Sequence, residues 1–396
     1  MKRAAMLLLS LLLTMSVCAC SASGEVTVPE LTVTYKSVPE TEAFAFTKAL
    51  GVGWNLGNTF DATGGSWIKD EMDIETAWHG DRTKEALIEA LRQAGFDSIR
   101  IPVSWHDHVD GEFNISDRWL SRVQEVVDWA IERDMYVIVN IHHDCEKSYY
   151  YPSYECLENS QKYVSAIWSQ LSARFIDYDE HLIFENLNEP RLKDTPYEWM
   201  SGSTAKEVTE SMECINALNQ TFVNTVRASG GKNAERYLMV SGYDAAVAGV
   251  ITDRFVLPED SAENRLIIST HAYIPYDFAL QSPKESGSRS EWSIQSAGDK
   301  SYIAGEFESL YKKFVLNGIP VVMGEFGSRT KGNNVQARVD HAAYYVLSGA
   351  IRGIPCLWWD NNAFKGNGEL FGLIHRSTMR WEYPKIVEAM MQYKLK

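Results

Sequence analysis

At 396 residues the chain holds one large domain or two ordinary ones, and its 45% hydrophobic content is ample for a sizeable core. A formal net charge of −15 argues against a nucleic-acid backbone as ligand, because phosphates attract basic surfaces, and fits a neutral or cationic substrate. Among 12 Trp, 19 Tyr and 15 Phe many belong to the core, but a surplus of Trp also suits stacking on the apolar C–H faces of sugar rings.

In chain order, Lys2 and Arg3 precede an apolar run from Ala4 to about Val17, too short to span a membrane and followed by small residues. That is the layout of an export signal over residues 1–19. Val17-Cys18-Ala19-Cys20 resembles a bacterial lipobox, with cleavage before Cys20 and lipid on its sulfur; ordinary cleavage and free secretion is the alternative. Residues 20–45 then read as a tether, and 46–396 as one catalytic-sized domain without a second module. Cys145, Cys156, Cys214 and Cys356 form no CxxC and no disulfide scaffold. Cys145 and Cys156 either pair across one loop or stay as buried thiols.

From residue 46 short β-branched runs alternate with helical patterns. The expected strands are 51–57, 97–102, 135–141, 182–188, 236–242, 265–271, 319–325 and 354–359. Each gap is wide enough for the crossover helix that parallel pairing requires. Residues 82–94 place Ala86, Leu87, Ala90, Leu91 and Ala94 on one face, with Gly95 ending the helix. Residues 117–132 follow Ser116 as N-cap and align Leu120, Val123, Val127, Ala130 and Ile131. Eight such units predict an α/β fold, a single (β/α)8 TIM barrel. A doubly wound open sheet needs fewer repeats, and no GxGxxG follows the first strand.

Buried parallel strands are expected to be apolar, so polar groups at their C-terminal ends need a reason, and in barrels active sites are built there. The ends carry Asn58, Arg100, His142-His143, Asn188-Glu189, His271 with Tyr273, Glu325 and Trp358-Trp359, leaving only the fifth strand without a candidate. Glu189 and Glu325 close the fourth and seventh strands, on opposite sides of a ring of eight, so both reach over its mouth. Paired carboxyls are what glycoside hydrolysis needs, one to protonate the departing oxygen and one to attack or to activate water.

Phe184-Glu185-Asn186-Leu187-Asn188-Glu189-Pro190 and Gly324-Glu325-Phe326-Gly327 resemble the acid/base and nucleophile strands of glycoside hydrolase family 5. Gly53-Trp54-Asn55-Leu56-Gly57-Asn58-Thr59, Ile99-Arg100-Ile101-Pro102-Val103, Asn140-Ile141-His142-His143-Asp144, His271-Ala272-Tyr273 and Trp358-Trp359-Asp360-Asn361 match in the same order. Their form is most similar to subfamily 4, whose members cut cellulose-type glucans, mixed-linkage β-glucan and xyloglucan. The resemblance implies a retaining double displacement, with Glu325 as nucleophile and Glu189 as general acid, then base. It places Arg100 beneath Glu325, Tyr273 on the nucleophile and His271 beside Glu189. It gives Asn188 the sugar 2-hydroxyl and His142 a neighbouring hydroxyl, sets His143 further out, and makes Trp359 rather than Trp358 the floor of the cleaved sugar's subsite. No cofactor and no metal is implied, and an extracellular or cell-surface monomer acting on β-glucan is expected.

Two departures stand out. Trp78-His79 replaces the small residues expected after Thr76-Ala77, which bears on distal glucose subsites, and Asn361-Asn362 stands where Asn-Gly is commoner. Glu185 lies earlier in its strand and reads as half of a buried ion pair. His142-His143-Asp144 has the look of a metal cluster, but sugar hydrogen bonding is the better reading. Asn55 and Asn58 either donate to sugar hydroxyls or cap the first turn. Tyr149, Tyr150, Tyr151 and Tyr154 line a cleft wall or pack their loop, and the long segment 274–300, with Trp292, reads as a substrate wall. A β-mannanase and a glycan-binding surface lipoprotein without activity remain as alternatives to an endo-β-1,4-glucanase.

Overall fold

The computed structural model describes residues 25–65 and 67–395. The export signal and the Cys20 lipid site lie outside the described residues. After helix α1 (Glu42–Ala49) comes strand β1 (Val52–Leu56). Then follow α2 (Glu85–Ala94), β2 (Ser98–Ile101), α3 (Asp117–Ile131), β3 (Tyr136–Ile141), α4 (Leu157–Arg174) and β4 (Leu182–Leu187). The second half runs α5 (Lys206–Ala228), β5 (Leu238–Val240), α6 (Val247–Ile251), β6 (Leu266–His271), α7 (Tyr276–Ala279), α8 (Ala297–Lys313), β7 (Val321–Phe326), α9 (Val335–Ala350) and β8 (Cys356–Asp360). A two-stranded ribbon, β9 (Ile374–His375) with β10 (Arg380–Trp381), and α10 (Pro384–Tyr393) complete the described chain. Strands β1 to β8 pair in sequence order, all parallel, and β8 closes on β1, with Trp54 opposite Trp358 and Asn55 opposite Trp359. The expected barrel is therefore present, with every strand where the apolar runs put it.

Side-chain alternation along each strand sorts the core into two parts. Val137, Val139, Leu238, Val240, Ile268 and Trp358 face the surrounding helices. Ile138, Ile183, Tyr237, Met239, Ile267, Val322 and Leu357 fill the lower barrel, where Ala43, Phe46 and Leu50 plug the N-terminal end and Phe46 stacks on Tyr237 at 3.6 Å. One layer further up, the same alternation brings Asn55, Arg100, Asn140, Glu185, Ser269 and Gly324 inward, so the barrel interior changes from apolar to polar within two residues. Register irregularities at Asn140/Ile141, Thr270/His271 and Met323/Phe326 interrupt the alternation just below the mouth. Such irregularities re-aim side chains near active sites. One of them lets Glu325 follow inward-facing Gly324 and still reach the mouth.

Several local expectations change. The second helix begins at Glu85 rather than 82, because the Thr83 N–H is taken by Glu75 Oε1 at 2.8 Å. Its buried face is Leu87, Ile88 and Leu91, while Ala86 is exposed. Gly95 ends it in the left-handed conformation, φ 100°. Ser116 is the N-cap residue of α3 as expected, but its hydroxyl makes no bond to the helix and donates to Glu71 Oε1 at 2.7 Å. Residues 25–45, expected as a tether, run along the barrel wall and into its base. Thr27 exchanges two hydrogen bonds with Gln336, the Tyr393 hydroxyl bridges Pro29 and Leu31, and the Lys36 N–H donates to Ile351 O at 2.8 Å. The four described cysteines are buried free thiols, Cys145 and Cys156 among them. No helix among the described residues is long and apolar enough to cross a membrane.

Candidate active site

Arg100 stands at the centre of the polar layer, fully buried, with its fork spread over four partners. Nε donates to Glu185 Oε2 at 2.6 Å, Nη1 to Glu325 Oε1 at 2.7 Å and Asn55 Oδ1 at 3.0 Å, and Nη2 to Asn188 Oδ1 at 2.8 Å. Burial penalises its charge, but the Glu185 and Glu325 carboxylates more than offset this and hold the guanidinium further above its ordinary value. Glu185 is enclosed completely, accepting also from Ser269 Oγ at 2.5 Å and Asn140 Nδ2 at 3.1 Å. It is the buried ion-pair partner expected of it. Asn55 is spent in the same way, since its Nδ2 donates to Gly324 O at 2.9 Å and Trp358 O at 3.2 Å and has no proton left for a ligand. With its Oδ1 on Arg100, Asn188 keeps its amide N–H groups for the cleft.

Above this layer, Tyr273 donates its hydroxyl to the second oxygen of Glu325 at 2.7 Å. Burial first, and then the Glu325 charge, raise that phenol well above its usual range, so it stays a donor. His271 Nδ1 lies 2.9 Å from Glu189 Oε1 and 3.7 Å from Glu325 Oε1. A carboxylate oxygen of Glu189 and one of Glu325 come within 4.8 Å of each other. Gly324 leaves room for this, because a Cβ there would crowd His271 Nε2 and Ser269 Oγ at 3.1 Å each. Burial raises the Glu189 carboxyl, but the bond and charge of His271, with Arg191 and His143, outweigh it and leave Glu189 below its ordinary value.

His142 has a defined tautomer. Asn140 Oδ1 accepts the Val103 N–H at 3.1 Å, so its Nδ2 faces His142 Nδ1 at 3.1 Å, and Nδ1 must accept. Burial, then the charges of His143 and Arg100, hold this ring well below the usual histidine value, so it is neutral with its proton on Nε2. The Trp359 ring lies parallel to it, 2° apart at 5.8 Å. Trp358 is wholly buried, its Nε1 on Phe371 O at 3.1 Å, so of the two only Trp359 borders the cleft. His143 sits further out, 38% exposed, with the Trp78 ring 5.7 Å away.

Among the described residues two groups have the spacing of a metal site: Glu189, His271 and Glu325, and Asp61, His142 and His143. In the second, both Asp61 oxygens already accept the Asn58 and Thr59 N–H groups, and the His142 tautomer directs a proton rather than a lone pair into the cleft. Asp144 takes no part, since it holds the Trp105 and His106 N–H groups and the Tyr163 hydroxyl.

Other expectations resolve toward structure. Asn58 occupies the left-handed region, φ 59°, with its backbone N–H donated to Asp61 Oδ2 at 3.0 Å, so its backbone shapes the first turn, a bond that leaves its side chain uncommitted. Tyr150 and Tyr151 are buried in their own loop, Tyr149 packs on His106 and Tyr163, and exposed Tyr154 bonds Glu213. Trp292 is no platform for a ligand, being 3% exposed and packed on His341 and Tyr344 of α9. The two departures prove to be neighbours. Asn362 has φ 55°, where glycine is the usual occupant, and donates to Asp81 Oδ2 at 3.0 Å, while His79 packs between Thr59 and Arg376 beside it. Burial and the Arg376 charge drop His79 to about 3, so it is a neutral wall of this corner.

Arg191 escaped the sequence reading. Its Nη1 donates to Glu189 O at 2.9 Å and lies 3.7 Å from Glu189 Oε2, its Nε pairs with Glu198 at 3.1 Å, and it stacks 4.1 Å from the ring of Trp199, which is 60% exposed. Its place two residues after Glu189 was the available signal.

A (β/α)8 barrel with two facing carboxyls over its C-terminal mouth, one on a buried arginine and a tyrosine, defines a glycoside hydrolase. Residues 60–365 match the profile of Cellulase (glycosyl hydrolase family 5), and the chain belongs to that family. It is 42% identical over 346 residues to Endoglucanase A of Clostridium longisporum, covering 87% of this chain and 64% of that protein. It is 41% identical over 376 residues to Endoglucanase B of Ruminococcus albus, covering 94% and 86%. The chain thus spans less than two thirds of the Clostridium longisporum protein, and 41% of the cellulase/esterase of Acetivibrio thermocellus. A family 5 lichenase from a Caldicellulosiruptor species superposes with a TM-score of 0.91 at 53% identity, over 93% of this chain and 99% of that one. A GH5-4 broad specificity endoglucanase from Ruminococcus champanellensis superposes with a TM-score of 0.81 at 42% identity, over 90% and 100%.

Proposed function

We propose that the chain is an exported endo-β-1,4-glucanase that hydrolyses internal bonds of β-glucans with retention of anomeric configuration. The approach of Glu189 and Glu325 to within 4.8 Å carries the mechanistic part. Retaining enzymes set their carboxyls about 5–5.5 Å apart, whereas inverting ones leave room for a water between them. The names of the relatives, endoglucanases and a lichenase, support the substrate class.

Glu325, ionised on Arg100 and Tyr273, attacks the anomeric carbon and forms a glycosyl–enzyme ester. Glu189 protonates the departing oxygen, then takes a proton from the water that cleaves the ester. Asn188 N–H groups meet the sugar 2-hydroxyl, His142 Nε2–H the next hydroxyl, and Trp359 the apolar sugar face. His143 and Trp78 bound the cleft beyond them, and Trp199 offers a platform on the leaving-group side. Catalysis needs no cofactor, and the protein acts as a monomer at or outside the cell surface, free or held by lipid at Cys20.

Residues 25–396, assayed on carboxymethyl cellulose, barley β-glucan, xyloglucan and galactomannan, are expected to thin the glucans rapidly and leave the mannan intact. Cleavage of mannan alone would keep the chemistry and replace the substrate. Silence on all four would favour a binding protein.

Changing Tyr273 to Phe removes one hydrogen bond to a charged acceptor, a loss of about 1.5–3 kcal/mol and so roughly 10- to 150-fold in kcat/KM. Because the ring packs as before, the thermal midpoint is expected to fall by no more than the loss of that one bond. An unaltered kcat/KM would reduce Tyr273 to packing.

A further inference from the structure

Between β4 and α5 the chain passes Glu189 and, two residues later, folds Arg191 back over it. The guanidinium touches that residue twice: Nη1 donates to the Glu189 carbonyl at 2.9 Å and lies 3.7 Å from carboxylate Oε2. Its other sides are fixed by the same loop. Nε donates to Glu198 Oε1 at 3.1 Å, and Glu198 Oε2 takes the Asp194 N–H at 3.1 Å, in a turn where Asp194 has φ 62°. The Trp199 ring covers the guanidinium face at 4.1 Å, and Cys145 Sγ donates to the Arg191 carbonyl at 3.3 Å. Beyond β5 the Tyr243 hydroxyl accepts the Leu192 N–H at 3.1 Å and donates to Tyr197 O at 2.7 Å, which ties the loop down on both sides of the arginine's partners. The Arg191 and Glu189 side chains are 13% and 18% exposed, so water screens their charges little.

We infer that Arg191 is a positioning residue, a fixed counter-charge that holds Glu189 ready for the second half of the reaction, when it must act as a base. The inference rests on the reading of Glu189 as acid/base. Once Glu189 has given its proton to the leaving oxygen, it carries a negative charge until the ester is cleaved by water. An arginine keeps its own charge at every working pH, so its support does not lapse during the cycle. Burial penalises the Arg191 charge, but the Glu189 carboxylate, then Cys145 and the Glu198 bond, outweigh this and hold it above its ordinary value. Burial alone would raise Glu189, and His271 and then Arg191 reverse that. The other titratable groups that face this pair are His143 after β3, Asp244 after β5, Tyr273 after β6, Glu325 on β7 and Glu369 after β8, with Tyr150 against Arg191.

The test follows two limbs of pH dependence in the wild type, Arg191→Met, Arg191→Lys and Glu198→Gln. With phenyl β-cellobioside, kcat/KM needs a protonated Glu189 and falls on the alkaline side. With 2,4-dinitrophenyl β-cellobioside the leaving group needs no acid and hydrolysis of the ester limits kcat. The need for an ionised Glu189 then shows as a fall on the acidic side. Arg191→Met should move both limbs upward by about one pH unit, the scale of an opposite charge at this range. Arg191→Lys should lie closer to the wild type, because it restores the charge without the fork. Glu198→Gln removes a carboxylate that competes for the same guanidinium, and should move both limbs downward. It is nearly isosteric, so it answers the question even if the methionine variant does not fold. Limbs that stay at the wild-type pH in either variant, or a loss of rate at every pH without a shift, would overturn the inference. Glu189→Ala in parallel separates the two readings. If it cleaves the phenyl substrate normally, the acid/base assignment fails and takes the inference with it. If it loses that substrate yet still forms the ester from the dinitrophenyl one, while the Arg191 limbs match the wild type, only the inference fails.

Discussion

Replacing Glu325 with alanine is expected to lower kcat on barley β-glucan by roughly 10^4- to 10^6-fold, the scale seen when a hydrolase loses its nucleophile. Stability should not fall with it. Glu325 is one of two carboxylates on Arg100, and after its removal the guanidinium still holds Glu185 at 2.6 Å, Asn55 and Asn188. A buried group of one positive and two negative charges becomes a balanced pair, so the thermal midpoint should stay level or rise. Azide is small enough to enter the space left by the carboxylate and attack the anomeric carbon from the same face. Rescue by azide, with a glycosyl azide of inverted configuration, would identify Glu325 as the nucleophile. Full activity without azide would remove it from the mechanism.

The barrel was legible because each strand is a short apolar run ended by polar residues, and because eight such runs with crossover gaps leave few alternatives. Glu189 and Glu325 were legible as carboxyls at strand ends, and Glu185, earlier in its strand, as half of a buried ion pair. Alternation does not place Glu325, which follows inward-facing Gly324 and reaches the mouth through the register irregularity beside it. Contacts across large sequence distances were equally hidden. Residues 25–41 look like a polar linker, and only the pairing of Thr27 with Gln336 and of Pro29 with Tyr393 shows them docked. Trp292 in a long loop suggested a substrate wall until α9 supplied His341 and Tyr344 for it to pack on. Ser116 had the residue type of a cap, but a glutamate 45 positions earlier competed for its hydroxyl. The left-handed turn at Asp244, φ 62°, was hidden too, since nothing in Ser241-Gly242-Tyr243-Asp244 announces its bond to Pro190 O at 2.8 Å.

Arg100→Met is the reverse experiment to the loss of Glu325. Methionine fills much of the arginine volume, so packing changes little, but Glu185 and Glu325 lose their shared cation in a site exposed by 0% and 6%. Breaking a buried ion pair from one side costs about 3–5 kcal/mol, because the remaining charge has no solvent to turn to. Ser269 and Asn140 still donate to Glu185, so the fold should persist, with a thermal midpoint clearly below wild type at neutral pH. The deficit has a sign in pH. Without Arg100 two buried carboxylates stand in the barrel with no cation beside them, and protonating either one relieves the uncompensated charge. The gap to wild type should therefore narrow on acidification, and the variant's optimum for stability should move to lower pH. Activity should not recover with it, because the proton that restores stability is placed on Glu325, whose attack requires it to be ionised. Thermal midpoints and kcat on barley β-glucan measured across the same pH series would separate these two consequences. A gap in midpoint that stayed constant with pH would mean that Arg100 contributes packing rather than charge.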